Sequence, residues 1–179
     1  MNLHMKEFVD EIDELVTFMV SDTWEFYGTP NVNPDRIRKA FENNYYNSEG
    51  TKTFWISSDE YGRVGMLRIY DLDDGTPLFD IRINSKYKGK GIGTESIKWL
   101  VDYVFMNYRE IDRIEANTRQ DNYSMRCVFS KCNFVKEAHY RNGWECSNGD
   151  IYDSVGYGIT RSDWSNKSSS PVIWNDFKC

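Results

Sequence analysis

The chain has 179 residues, a formal net charge of −6 and 16% aromatic residues. This length suits one domain with a proper core, and the acidity argues against nucleic acid as a partner. No apolar run reaches the length of a membrane span and no signal peptide opens the chain, so neither a membrane nor a secreted setting is expected.

Four cysteines without a C-x-x-C pair, and only two histidines, argue against a zinc or other metal site. Free thiols in a leaderless chain point to the reducing cytoplasm. Cys127 has no histidine near it in sequence and reads as a buried thiol rather than a nucleophile.

In chain order, Lys6–Val20 places Phe8, Val9, Ile12, Leu15, Val16, Met19 and Val20 on one stripe, which predicts an opening helix. Ser21–Asn33 is a loop broken by Gly28 and Pro30. It holds Trp24, Phe26 and Tyr27 among the acids Asp22 and Glu25. Asn33-Pro34 caps and starts a second helix. Thr51–Ser57 and Arg63–Tyr70 read as strands joined near Gly62, and Asp71–Pro77 as an acidic loop. Beyond the central stretch come a strand at Arg113–Thr118, a short helix at Asn122–Lys131, strands at Phe134–Arg141 and Tyr152–Thr160, and a polar tail. We expect a single domain over 1–166 and a tail over 167–179.

The central stretch is Leu78–Asn107. Leu78–Ile83 is a β-branched strand, Lys86–Gly93 a cationic loop with three glycines, and Thr94–Asn107 a helix with Ile97, Leu100, Val101, Val104 and Phe105 on one face. Strand, glycine loop and helix together are how proteins hold a pyrophosphate, through exposed amides and the positive end of the helix dipole. Neither the P-loop string nor the dinucleotide G-x-G-x-x-G is present. A tight turn with no ligand is the plain alternative for this loop taken alone.

Lys88-Gly89-Lys90-Gly91-Ile92-Gly93 matches R/Q-x-x-G-x-G with Lys at the first position, and so resembles the acetyl-CoA loop of the GNAT N-acetyltransferases. The order of elements is similar to theirs. Asn117, Asn122, Met125, Arg126 and Phe134 resemble the RimJ/RimL-type branch, with Asn133 where that branch has Gly and Met125 where many relatives have Ser. The resemblance implies an α/β (α+β) fold: a mixed, mostly antiparallel sheet of about six strands flanked by about four helices, with the first strand missing because the chain opens on a helix.

It also implies direct attack of an acceptor amine on acetyl-CoA. Acetyl-CoA is then expected at Ile81, Arg82, Ile83, Lys88, Gly89, Lys90, Gly91, Ile92, Gly93, Thr94, Asn117, Asn122, Met125 and Arg126. Asp80 is the candidate base, on the same strand face as Arg82 and equally readable as its ion-pair partner. Tyr123, Ser124 or water stands in for the thiol acid that Met125 cannot be. Trp24, Glu25, Phe26 and Tyr27 are the candidate acceptor contacts, since aromatic faces and carboxylates suit a cationic amine. The acceptor is a small-molecule amine or a protein N-terminus, and the protein a monomer or homodimer. The alternative is a non-catalytic module that binds CoA or another nucleotide as a sensor or scaffold.

Overall fold

A computed structural model describes residues 2–174. The chain opens on a strand, β1 (Leu3–Glu7), followed by α1 (Ile12–Val20), α2 (Pro34–Glu42), β2 (Lys52–Ser58), β3 (Gly62–Tyr70) and β4 (Leu78–Ile83). A 3-10 turn at Ser85–Tyr87 leads to α3 (Ile92–Asn107), β5 (Arg113–Arg119), α4 (Tyr123–Lys131), β6 (Val135–Glu145), β7 (Ile151–Thr160) and α5 (Arg161–Asn166). The strands form two antiparallel sheets, ordered β1-β2-β3-β4 and β5-β7-β6.

The expected missing first strand is therefore corrected. Leu3–Glu7 pairs with β2 from Leu3↔Ser58 to Glu7↔Phe54, and Phe8 N–H continues the ladder to Thr53 O at 2.8 Å. The helical stripe over-reached because Phe8 and Val9 fit its period, yet Phe8 is fully buried and Val9 is 66% exposed. Glu11 enforces the break by accepting from Val9 N–H and Lys6 Nζ, each at 2.9 Å. Burial alone would raise this carboxyl, but those hydrogen bonds outweigh it and hold it at about 2. A further element, not expected from the sequence, closes the domain: α5, whose Thr160 and Asp163 form a capping box.

Alternation along the first sheet sorts its side chains into two cores. Phe54, Ile56, Leu67, Ile69, Phe79, Ile81 and Ile83 face α3 and α4. Trp55 and Met66 face the other way and pack with Phe8, Leu15, Phe18, Met19, Trp24, Ile37 and Tyr46 beneath α1 and α2. On that second face β4 presents Leu78, Asp80 and Arg82, and none of the three joins this core. Asn33 starts α2 as its sequence predicts, with Oδ1 accepting from Asp35 N–H at 2.7 Å and Pro34 in the first turn. Arg161 closes α3 by donating to the carbonyls of Phe105, Tyr108 and Ile111. Cys127, expected buried, is exposed on α4; Cys132 and Cys146 are the buried thiols. Cys179 lies outside the described residues, as do the last residues of the expected tail.

The two sheets meet where β4 and β5 begin. Glu115 N–H donates to Pro77 O at 2.9 Å. Beyond that bond the strands belong to different sheets and form no ladder with each other.

Candidate active site

The free edge of β4 follows from its register. Ile83 lies opposite Gly65, Asn84 N–H reaches Val64 O at 3.0 Å, and a Cβ on Gly65 would strike the Arg82 carbonyl. The even residues therefore bond to β3, and the N–H and C=O groups of Phe79, Ile81 and Ile83 point away from it, toward the opening beside β5. The Tyr27 hydroxyl donates to the outward carbonyl of Ile81.

The glycine loop ends at this edge. Gly89 and Gly91 adopt φ of +77° and +82°, and Gly91 is the N-cap of α3 with no side-chain cap. The helix begins at Ile92 rather than at Thr94. A Cβ on Gly93 would lie 3.5 Å from Ile83 Cδ1 and 3.6 Å from Val128 Cγ2, so the first turn of α3 sits between the end of β4 and α4. The amides of this turn have no acceptor within the helix, and Lys86, Lys88 and Lys90 stand exposed around them. Free amides, left-handed glycines, a helix N-terminus and three ammonium groups fit a pyrophosphate.

Asn122 caps α4 by accepting from Met125 N–H at 3.2 Å, and its Nδ2 donates to Thr118 Oγ1 at 3.1 Å. Tyr123 and Ser124 are exposed in the same turn, Met125 is half-buried, and Arg126 Nη1 holds Gln120 O at 2.7 Å. Asn117 is exposed on β5.

On the opposite face of β4 lies a polar cluster. Arg82 and Asp80 are 11% and 19% exposed, with Nε and Oδ2 3.6 Å apart, an ion pair but too long for a hydrogen bond. The Arg82 guanidinium lies 3.7 Å from the Tyr27 ring centre and 5.1 Å from that of Trp24. Arg68, directly across from Asp80, turns instead to Tyr45, donating to its hydroxyl at 2.7 Å and its carbonyl at 3.2 Å. Asp80 Oδ1, Arg82 Nε and Nη1, and Arg68 Nε are buried without a hydrogen-bond partner among the described residues. Burial, then the Asp80 charge, pushes the Tyr27 phenol well above its ordinary range, so it stays a donor. Burial likewise lifts Tyr46 to about 12.

The loop between α1 and α2 divides. Trp24 and Tyr27 join the Arg82 cluster, and Trp24 Nε1 is tied to Met19 O at 2.8 Å. Glu25 and Phe26 do not join it: Phe26 lies 5.2 Å from the Arg119 guanidinium, which donates to Glu25 O at 3.1 Å. Asp22 fastens the loop to the turn after β4 by accepting from Ser85 N–H. Burial would raise its carboxyl, but the bonds from Ser85 and Thr23 and the charge of Lys88 prevail and lower it. Sequence reasoning missed Arg68 and Tyr45, and named Asp22 only as one of the acids of the loop. The signal for Arg68 was present, a single cation within the otherwise uncharged run Val64–Tyr70.

A family model described as an acetyltransferase (GNAT) domain matches residues 2–135. Among solved structures, a spermidine N-acetyltransferase from Vibrio cholerae in complex with CoA and spermine aligns with a TM-score of 0.76 at 17% identity, over 92% of this chain and 98% of that one. A chimera of the Vibrio cholerae enzyme with hSSAT gives 0.78 at 16% identity, over 93% and 99%. A dodecameric form of the Vibrio cholerae enzyme gives 0.75 at 17%, over 93% and 98%. No curated protein sequence matches. At these identities the structural likeness is one of fold.

Proposed function

The chain belongs to the GNAT acetyltransferase family and is an acyltransferase, and from that premise we propose that it moves the acetyl group of acetyl-CoA to a primary amine. The observation that carries the reading is the first turn of α3, with Gly89 and Gly91 at positive φ, set against the unpaired edge of β4. Within the family we place it in the RimJ/RimL-type branch, on Asn122, Met125 and Arg126 in and before the first turn of α4. Free Cys127, Cys132 and Cys146 suit a reducing cytoplasmic setting.

Each role then follows from position. The amides of Gly89–Thr94, with Lys88 and Lys90, hold the pyrophosphate. The outward N–H groups of Ile81 and Ile83 align the pantetheine arm as an added strand would, helped by Asn122. Ile81 N–H donates to the thioester carbonyl, where negative charge develops. Asp80 accepts a proton from the acceptor ammonium. A lysine-like amine is neutral in only about one molecule in 10³ at pH 7, a cost of roughly 4 kcal/mol that a base must recover. Nitrogen then bonds to the acetyl carbon, the C–S bond breaks with its electron pair leaving on sulfur, a proton from Tyr123, Ser124 or water completes the thiol, and the second proton of the nitrogen passes to that donor or to water as the amide forms.

The test is thiol release from acetyl-CoA with a panel of primary amines, alongside calorimetric binding. We expect one acetylated amine per thiol, and a micromolar acetyl-CoA Kd typical of enzyme substrates. Heat with NAD or ATP but none with acetyl-CoA would overturn the assignment.

A further inference from the structure

The α1/α2 face of the β3–β4 pair holds two arginines, Arg68 on β3 and Arg82 on β4, and one carboxylate, Asp80, a local charge of opposite sign to the protein's −6. Three buried nitrogen positions on those arginines, Arg82 Nε and Nη1 and Arg68 Nε, have no acceptor among the described residues, and Asp80 Oδ1 has no donor. An unmade hydrogen bond of this kind costs about 1–3 kcal/mol and persists where a water, an ion or a ligand completes it. The Arg82 plane is held on the faces of Tyr27 and Trp24, which fixes the guanidinium and leaves its N–H rim for a flat anion. The cation on those rings is thus the chain's own.

The geometry points to an acceptor that is an aminocarboxylate: its carboxylate takes the open donors of Arg82, and of Arg68 where it reaches, while its ammonium faces Asp80 Oδ1. With Arg82 Nε and Asp80 Oδ2 only 3.6 Å apart, the two charges of the acceptor lie a few bonds from each other, as in an α- or β-amino acid. A polyamine supplies no anion for the arginines and adds positive charge to a cluster already carrying it. This deepens the acetyl-transfer reading above and rests on it.

The experiment measures thiol release at saturating acetyl-CoA with free α-amino acids, the same compounds as carboxamides, and spermidine. Calorimetry on the CoA-saturated protein gives Kd for the same compounds. The expected result is that the best amino acid exceeds its carboxamide by about 30- to 100-fold in kcat/KM, the worth of a charged hydrogen bond. Arg82→Gln then raises KM and Kd for the acid by a similar factor and for the carboxamide by less than about threefold. If Arg82→Gln is too unstable to purify, Arg82→Lys keeps the charge without the planar fork and raises KM about tenfold for the acid alone. Preference for spermidine over every amino acid, or equal losses on acid and carboxamide, overturns the aminocarboxylate while leaving acetyl transfer intact. Absence of heat with acetyl-CoA itself overturns both.

Discussion

Asp80 is the residue whose removal separates chemistry from binding. It neighbours Ile81 on β4, its Oδ1 is buried without a donor among the described residues, and Arg82 is too distant for a hydrogen bond to it. Asp80→Asn should lower kcat about 10²- to 10³-fold, the range for loss of a general base, with the acetyl-CoA Kd within about twofold of wild type. A normal kcat across pH 6–9, about the range over which amines titrate, would assign Asp80 to structure instead. That Asp80 and Arg82 share a face was legible from the period of two along a strand. That they lie among Arg68, Tyr27 and Trp24 was not, because the pairing of β3 with β4 and the descent of the α1–α2 loop onto the sheet are contacts between distant segments. Trp24, Glu25, Phe26 and Tyr27 look equivalent in sequence. Only the fold divides them, two toward Arg82 and two toward Arg119.

At the scale of elements, the loop into α3 makes the sharpest demand on sequence. A Cβ at Gly91 would meet nothing within 4 Å, so a substitution there acts through φ of +82° and through charge, not through bulk. Gly91→Asp should therefore weaken acetyl-CoA binding by at least tenfold, combining a left-handed penalty of about 1 kcal/mol with repulsion of the pyrophosphate. Gly91→Asn, which tolerates the left-handed region and carries no charge, should weaken it much less. Calorimetry on the two variants checks the order. This strand–loop–helix unit was legible because its signals are local: β-branched residues, glycines, then a helical stripe. Strand β1 was not, because Leu3 and Met5 are too short a run to outweigh the helical period that Phe8 and Val9 continue. What makes Leu3–Glu7 a strand is the open edge of β2, which no local reading contains.

Taken whole, the molecule leans on carboxylates that folding has made more acidic. Glu11 sits at about 2, and Asp22, Asp121 and Asp163 are all lowered. Arg119 holds Asp121 down, while Asp163, despite burial, is held by bonds from Thr160 and Ser170. A depressed folded pKa gives stability that is complete above the unfolded value and is lost as pH falls through the folded one. The melting temperature should therefore be flat from about pH 6 to 5 and drop steeply between about pH 4.5 and 2, where these groups protonate. Glu11→Gln should make the upper part of that drop shallower, because it removes one of the groups that titrate there. The parting of the two sheets beyond Glu115 and Pro77 also predicts how amide protons trade with solvent. A strand in the middle of a sheet normally shields every amide, but β4 does so on one side only. Asp80, Arg82 and Asn84 should exchange slowly and Ile81 and Ile83 quickly, a residue-by-residue alternation readable by NMR in deuterated water. Adding CoA should erase the alternation, slowing Ile81 and Ile83 to the pace of their neighbours.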